Sequence, residues 1–251
     1  MKNFAIATKA AVCAAFILAS SSSYASFLET FDNGGLPAGW VTNNQSTRAN
    51  TGNPWSVAPA ITDGGIDILV APHSGSGMAI ANYTSVGSGT GTISNWLLTP
   101  LISGMKNGDV FSFFTTTTPD SDYPDRLEFR LSSAGSGTSV GNSVNSVGTF
   151  STLLLSINPT LAVGGYPEGW TQYSVTLSGL TAPIDGRVAL RYFVTSGGPA
   201  GANSNIIGVD DFRYQQAATV DVPEPAGVSL VLAGVGLVAF MQRRRNRSSA
   251  T

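Results

Sequence analysis

The sequence predicts an all-β protein built as an antiparallel β-sandwich. Of its 251 residues, 42% are hydrophobic and 11% are charged, so the chain can bury enough apolar surface to offset the entropy of ordering a core. Helical periodicity is almost absent between residues 26 and 221. Short β-rich runs recur there, separated by clusters of Gly, Pro, Asn and Ser. Many short strands with this spacing are typical of antiparallel sandwiches.

The first 25 residues are predicted to be a secretory signal peptide. Lys2 and Lys9 precede an apolar run over residues 10–19, and Ser23-Tyr24-Ala25 provides small residues at a cleavage site after Ala25. The alternative, an N-terminal transmembrane helix, fits less well because the run is short for a bilayer core of about 30 Å. We therefore expect the Sec translocon and signal peptidase as partners. The only cysteine, Cys13, lies in the segment that would be removed.

Ten runs between the two ends are predicted to be strands. Residues 126–131 alternate, with apolar side chains on one face and charged side chains on the other. Residues 187–194 are more continuously apolar, which is typical of a central strand. A body of this length can bury about 70% of its unfolded surface and needs no disulfide. The ten runs are 55–57, 66–70, 78–81, 93–98, 110–118, 126–132, 150–157, 170–177, 187–195 and 206–214.

Composition also excludes several classes of function. One Cys rules out a disulfide scaffold and a Cys-based zinc site, and one His argues against His-dependent metal or triad chemistry. The net charge is −2 for the chain and −7 for residues 26–221, which contain seven cations and fourteen acidic residues. Nucleic acid is therefore not an expected partner.

No catalytic residues are predicted. Gly137-Thr-Ser139-Val-Gly141 has the letters of a nucleophile elbow, but it lies in a Gly/Ser/Asn-rich stretch, 133–148, with no helical pattern after it. His73 would be the only base for a triad, and its turn-rich surroundings predict an exposed loop histidine. A glycan hydrolase needs two facing carboxylates, and no spacing singles out a pair, so this class ranks a distant third. We predict that the chain is not an enzyme.

The C-terminus has three parts in a fixed order. Pro223-Glu224-Pro225 is followed by an uncharged run, 226–241, and then by Arg243, Arg244, Arg245 and Arg247. A helix over the run would be about 24 Å long, slightly short of a bilayer core. The positive-inside rule places the arginines in the cytoplasm and the body beyond the membrane. The alternative, a buried core helix, would place four arginines beside a core.

This tail resembles the PEP-CTERM sorting signal of exported Gram-negative proteins. The resemblance implies that an exosortase processes the chain, and that the protein is associated with exopolysaccharide or biofilm. Together with the N-terminal pattern, it divides the chain into a signal peptide (1–25), a body (26–218) and a sorting signal (219–251). The expected precursor is anchored in the inner membrane with a cytoplasmic C-terminus. The mature body is then periplasmic, cell-surface or extracellular.

Segments of the body resemble the choice-of-anchor J domain, which is related to cleaved-adhesin domains. The resemblance implies a jelly-roll β-sandwich like that of many carbohydrate-binding modules, and it leaves the ligand unknown. The segments, in order, are Phe27-Leu28-Glu29-Thr30-Phe31-Asp32 with Pro37-Ala38-Gly39-Trp40, then Asn95-Trp96-Leu97-Leu98-Thr99-Pro100, Val110-Phe111-Ser112-Phe113, Asp125-Arg126-Leu127-Glu128-Phe129-Arg130 and Gly208-Val209-Asp210-Asp211-Phe212.

The same resemblance implies that the first and last strands run together, often with a structural Ca²⁺ between them. The candidate ligands are Glu29, Asp32, Asp210 and Asp211. Calcium takes six to eight oxygen ligands, and carboxylates brought together without a cation raise one another's pKa. In the alternative, Asp210 caps a turn and Glu29 faces solvent. The acidic segment 120–125 lacks the glycine and closing Glu of an EF-hand loop, and a solvated turn is predicted there.

The leading functional hypothesis is an exported, non-enzymatic surface or extracellular-matrix protein. The alternative is a carbohydrate-binding module that recognises exopolysaccharide through exposed aromatic residues such as Trp55, Tyr83, Tyr123 or Tyr166. Aromatic rings stack on the faces of sugars, whereas core or turn packing is the competing explanation for each ring.

Overall fold

The computed structural model describes residues 26–52, 54–64, 67–218 and Arg243. The chain divides into two compact units, 1–217 and 218–251, and every described strand belongs to the first. The predicted signal peptide with Cys13, and the sorting signal apart from the exposed Arg243, lie outside the described residues. These undescribed parts include Pro223, Glu224, Pro225, the apolar run 226–241, Arg244, Arg245 and Arg247. Across the described ranges, no helix has both the length and the apolar character needed to cross a membrane.

The described residues form fourteen strands and one short 3₁₀ helix, η1 (Tyr83–Ser85). The strands are β1 (Phe27–Glu29), β2 (Val41–Asn44), β3 (Ser56–Ala58), β4 (Ile61–Thr62), β5 (Ile68–Val70), β6 (Met78–Asn82), β7 (Gly91–Leu98), β8 (Ile102–Met105), β9 (Val110–Thr117), β10 (Leu127–Ser132), β11 (Thr152–Ile157), β12 (Thr171–Thr176), β13 (Ile184–Gly197) and β14 (Ile206–Gln215).

The strands form two six-stranded antiparallel sheets and a small hairpin of β4 and β5. The first sheet has the order β12-β9-β14-β6-β3, and β1 also pairs with β14. The second sheet has the order β11-β10-β13-β7-β2, and β8 also pairs with β13. Most neighbours are distant in sequence, as in sandwiches with long crossover connections. The prediction of an all-β antiparallel sandwich is confirmed.

Every predicted run overlaps an observed strand, and residues 187–194 lie in β13, the middle strand of the second sheet. The observed strands outside the predicted runs are β1, β2, β4 and β8, which have only two to four residues each. β8 contains Ser103 and Gly104 and is held as a strand by pairing of Met105 with Ile184 of β13. These segments therefore form strands because adjacent strands of the sheet pair with them, and their own β-propensity does not account for it.

An aromatic core lies between the two sheets. Phe111 and Phe113 of β9 and Phe212 of β14 face Phe129 of β10, and each is at most 1% exposed. Ring centroids are 5.6 Å apart for Phe111 and Phe129, 5.5 Å for Phe113 and Phe129, and 6.1 Å for Phe129 and Phe212. Such tilted and edge-on pairs contribute about 0.5–1.5 kcal/mol each beyond their area burial. These contacts join the two layers.

The connection between β10 and β11, residues 133–151, covers part of the outer face of the second sheet. Its Val140 and Phe150 are buried with Trp96 of β7, whose ring centroid lies 5.8 Å from that of Phe150. The carbonyl of Val144 accepts a hydrogen bond from Nη2 of Arg191 at 2.6 Å. The connection contains neither helix nor strand, so Gly137-Thr-Ser139-Val-Gly141 does not form the strand-to-helix turn of a nucleophile elbow.

The charged face of β10 is buried under this cover. Glu128 is 2% exposed and contacts Arg126 at 2.6 Å, Arg130 at 2.7 Å and Arg191 at 3.1 Å. The Arg191 guanidinium also lies 3.8 Å from the centroid of the Phe193 ring. Burial lowers the pKa of Arg191 to about 10 despite the nearby Glu128. Residues 126–131 alternate as predicted, but their charged side chains are covered by another part of the protein instead of facing solvent.

Candidate functional site

A cleft of about 290 Å³ lies where three connections meet at one end of the sandwich. The connections are η1 after β6, residues 118–126 between β9 and β10, and residues 198–205 between β13 and β14. Tyr83 is 40% exposed and Tyr123 is 52% exposed, so both rings are accessible from solvent. The lining residues are Tyr83, Tyr123, Gly198, Pro199, Gly201, Ser204 and Asn205.

Asn205 holds the three connections together. Its carbonyl accepts the backbone N–H of Tyr83 at 2.8 Å. Its side-chain amide donates to the hydroxyls of Thr118 at 2.7 Å and Ser121 at 3.1 Å. Its own backbone N–H donates to Oδ1 of Asp125 at 2.9 Å. One residue therefore fixes the position of both tyrosine-bearing segments.

A buried carboxylate supports the floor of the cleft. Asp125 is fully buried and accepts hydrogen bonds from Oγ1 of Thr117 at 2.8 Å, the Tyr192 hydroxyl at 2.5 Å and the N–H of Asn205. Burial raises the pKa of Asp125 even though these three donors act in the opposite direction. The solvated turn predicted for residues 120–125 is correct for Asp120 and Asp122, which are exposed, and wrong for Asp125.

Two of the four aromatic residues suggested for sugar stacking are part of the core. Trp55 is fully buried, and its indole N–H donates to the carbonyl of Asn95 at 3.0 Å. Tyr166 is 3% exposed, and its hydroxyl lies 2.7 Å from Oγ1 of Thr115. Neither ring can reach a glycan, so that part of the hypothesis is wrong. Tyr83 and Tyr123 are accessible and share the cleft.

Three of the four predicted calcium ligands converge on one loop, residues 73–77. Asp32 accepts two backbone N–H groups of this loop, at 2.5 and 3.1 Å, and Asp210 accepts one at 3.1 Å. Asp211 accepts the hydroxyl of Ser74 at 2.7 Å. Glu29 instead accepts the N–H of the nearby Phe31 at 2.8 Å. The pairing of β1 with β14, which the resemblance implied, brings these segments together.

The four side chains have the oxygen chemistry that calcium prefers, but most of their oxygens already take part in hydrogen bonds with N–H, O–H or imidazole groups. Backbone donation lowers the pKa of Asp32, while burial raises the pKa of Asp210 to about 6. Within the described part of the chain, no group of three or more His, Cys, Asp or Glu residues is arranged to hold a metal ion. Calcium at Glu29, Asp32, Asp210 and Asp211 therefore stays a prediction.

His73 anchors the same loop to the first sheet. Its Nδ1 lies 2.6 Å from Oδ2 of Asp211, and its side chain is 31% exposed. Its ring stacks on Phe114 of β9 with centroids 3.6 Å apart, and the Trp170 ring meets it edge-on at 5.9 Å. His73 is a loop residue, as predicted, but it is packed and paired.

The cleft residues in 198–205 were not singled out by sequence reasoning. Gly198, Pro199 and Gly201 mark this segment as a turn, which is the only signal that the sequence offers. Nothing local indicates that Asn205 bonds to segments that lie about 80 and 120 residues away along the chain. Its role depends on the sheet order.

Residues 221–245 match the PEP-CTERM protein-sorting motif. The match covers the Pro-Glu-Pro triplet, the apolar run and the first three arginines. This motif implies an exported protein with a membrane-anchored precursor. No curated protein matches the chain in sequence.

The sandwich is similar to cleaved adhesin domains of Lys-gingipain from Porphyromonas gingivalis. For the K3 domain, the TM-score is 0.52 at 21% identity, covering 78% of this chain and 100% of that chain. For the K1 domain, the TM-score is 0.48 at 20% identity, and the match covers 77% of this chain and 99% of that chain. A xylan-binding domain from Paenibacillus barcinonensis has a TM-score of 0.40 at 11% identity, covering 76% and 95%. The chain thus combines a PEP-CTERM sorting motif with a sandwich of the cleaved-adhesin fold.

Proposed function

We propose that this chain is an exported surface or extracellular-matrix protein that binds a glycan, without catalysis, between Tyr83 and Tyr123. The observation that carries the proposal is the pair of exposed tyrosine rings in one cleft, although the residues are 40 positions apart in the sequence. Aromatic rings present large, rigid, amphipathic surfaces that suit the apolar faces of sugar rings. An exopolysaccharide is the expected source of the glycan.

The size and support of the cleft favour this function. Pockets that bind small molecules typically measure about 300–1,000 Å³, so a cleft of about 290 Å³ suits one ring of a longer glycan. The hydrogen bonds of Asn205 and Asp125 hold the two tyrosine-bearing segments before any ligand arrives. Such preorganisation reduces the entropic cost of binding.

Replacing Tyr83 or Tyr123 with alanine is expected to weaken glycan binding by about tenfold or more, since each change removes one stacking surface. The measurement is retention of the full-length chain on a panel of immobilised polysaccharides, followed by affinity determination for the retained glycan. Both side chains are exposed, so the fold should be little affected.

Leu101→Ala is the matched control for these variants. Leu101 is an exposed apolar side chain, 43% accessible, in the connection after β7, at the opposite end of that strand from the cleft. Its truncation should leave the affinity unchanged. Equal binding by the Tyr83→Ala, Tyr123→Ala and natural chains would contradict a glycan site in this cleft.

We also propose that an exosortase processes the chain at its sorting signal, a step supported by the motif at residues 221–245. In cells that encode an exosortase, Glu224→Ala is expected to leave the unprocessed precursor in the inner-membrane fraction. Fractionation and immunoblotting of a tagged chain measure this. Pro183→Ala, an exposed change in the body, should be processed normally. Normal release of the Glu224→Ala chain would count against exosortase recognition.

The predicted calcium site has a thermal test. Saturating Ca²⁺, at a hundredfold excess over Kd, is expected to raise the Tm of the chelator-treated chain by about 5–10 °C, because a ligand that binds only the folded state stabilises it. Asp210→Asn should abolish the rise, and Asp122→Asn should retain it. A Tm that neither chelator nor Ca²⁺ changes would exclude a tight structural calcium.

A further inference from the structure

Three carboxylates lie in or next to the segment that joins Tyr123 to the Tyr83–Tyr123 cleft. Asp122 directly precedes Tyr123, and Asp120 lies three residues before it, at most about 11 Å away between Cα atoms. Glu168, from the connection between β11 and β12, accepts the backbone N–H of Asp120 at 3.0 Å. All three side chains are in exposed residues. We call Asp120, Asp122 and Glu168 the entrance carboxylates.

The entrance carboxylates are fixed beside the cleft. Ser121, which lies between the two aspartates, accepts a hydrogen bond from the side-chain amide of Asn205 at 3.1 Å. The hydroxyl of Ser121 also accepts the backbone N–H of Tyr123 at 3.3 Å. The segment that carries two of the negative charges is therefore tied to the same residue that positions the tyrosines.

None of these carboxylates forms an ion pair with a Lys or Arg of the described residues. The residues that line the cleft are uncharged. The nearest cation along the chain, Arg126, is paired with Glu128 at 2.6 Å and donates to Oγ of Ser156 at 3.3 Å. None of the ion pairs that the described residues form includes an entrance carboxylate. The segments beside the cleft thus carry three carboxylates that have no ion-pair partner among the described residues.

The charge of a glycan affects how it approaches a cleft that is flanked by carboxylates. Charges of one sign around a cleft raise the local concentration of oppositely charged ligands and repel ligands of the same sign. An ammonium group close to a tyrosine face gains an additional cation–π attraction. A uronic acid or sulfated glycan would instead bring negative charge towards the three carboxylates.

We infer that the cleft prefers glycans whose amino sugars carry free amines over the N-acetylated forms of the same glycans, and that it discriminates against polyuronates. The inference rests on the proposed glycan-binding function and adds the charge class of the ligand. It depends on the juxtaposition of the entrance carboxylates with the two accessible tyrosine rings.

The test measures the affinity of the full-length chain for three oligosaccharides of equal length. These are β-1,4-linked glucosamine, β-1,4-linked N-acetylglucosamine and a polyuronate fragment. The pH is set between the ordinary pKa of a carboxylate and that of the sugar amine. At low salt the glucosamine oligosaccharide should bind about tenfold more tightly than its acetylated form, since each carboxylate contributes about twofold through water. The uronate should bind most weakly, and added NaCl should reduce the differences.

The matched variant combines Asp120→Asn, Asp122→Asn and Glu168→Gln. Asp120 has a φ of +53°, which Asn tolerates, and Gln keeps an oxygen for the N–H of Asp120. This variant should lose the preference for the amine and keep its affinity for the acetylated form. Asp63→Asn with Asp67→Asn, on the connection between β4 and β5, should keep the preference.

The outcomes separate the two claims. If Tyr123→Ala weakens binding but the uronate binds best, or if the triple variant still prefers the amine, the charge inference is overturned and glycan binding in the cleft stands. If none of the three oligosaccharides binds, the charge inference is overturned. If Tyr123→Ala leaves the binding of every retained glycan unchanged, the proposed function falls together with the inference.

Discussion

Replacing Glu128 with alanine is expected to lower the free energy of unfolding by about 3–5 kcal/mol, because breaking a buried ion pair leaves its partners without a counter-charge. Glu128 contacts three arginines, Arg126, Arg130 and Arg191. Arg191 is only 2% exposed. Without the carboxylate, three cations would repel one another beneath the connection between β10 and β11.

The size of this effect is measured by urea unfolding of the natural and Glu128→Ala chains. Asp122→Ala is the control, because this exposed carboxylate has no ion-pair partner among the described residues and its loss should change stability by no more than about 0.5 kcal/mol. Losses of equal size for the two variants would show that the buried cluster is not stabilising.

The stability that Glu128 contributes should also depend on pH. Burial raises the pKa of Glu128, but the hydrogen bond from Arg130 and the charges of Arg191, Arg130 and Arg126 outweigh burial and lower the pKa below 4.5. Because the folded pKa is lower than the unfolded one, this contribution is present above pH 4.5 and is lost as the pH falls through the folded pKa. The stability difference between the natural and Glu128→Gln chains should therefore shrink in that window.

Replacing Phe212 with alanine is also expected to cost about 3–5 kcal/mol of unfolding free energy. Phe212 is fully buried and joins the two layers of the sandwich. Its ring centroid lies 5.4 Å from that of Trp40, 6.1 Å from that of Phe129 and 6.3 Å from that of Phe113. Truncation removes these contacts and leaves a cavity that the surrounding strands cannot fill.

Two comparisons make the Phe212 experiment specific. Phe212→Leu keeps most of the volume and should cost less than about 1.5 kcal/mol. Tyr123→Ala removes an exposed aromatic ring of similar size and should change stability by no more than about 0.5 kcal/mol. Equilibrium unfolding in urea measures all three variants. A Phe212→Ala chain as stable as the Tyr123→Ala chain would mean that Phe212 does not join the layers.

Local patterns were sufficient for most of the sheet structure. The alternation at residues 126–131 and the continuous apolar run at 187–194 both correspond to strands, β10 and β13, with the predicted faces turned to the core. β2 was missed because its sequence, Val-Thr-Asn-Asn, is mostly polar, and β4 because it is only two residues long. A short or polar segment becomes a strand when a neighbour supplies its hydrogen-bond partners.

The candidate site was predicted only in part. Tyr83 and Tyr123 were named as aromatic residues that could contact a sugar, but so were Trp55 and Tyr166, which are core residues. Each of these rings lies in a stretch with similar turn and strand signals, and burial depends on which distant segment covers the ring. The spacing of residues in the sequence does not indicate which distant segment covers each ring.

The sequence by itself determined that the body consists of strands, which side of many strands is apolar, and that the chain ends in a sorting motif, because these properties depend on residues close together in the chain. The tertiary structure decided that Asn205 joins Tyr83 to Tyr123, that Asp125 is buried beneath them, and that the charged face of β10 is covered. The physical reason is that alternation specifies the direction of a side chain, whereas its solvation and partners are set by segments that only the sheet order brings near.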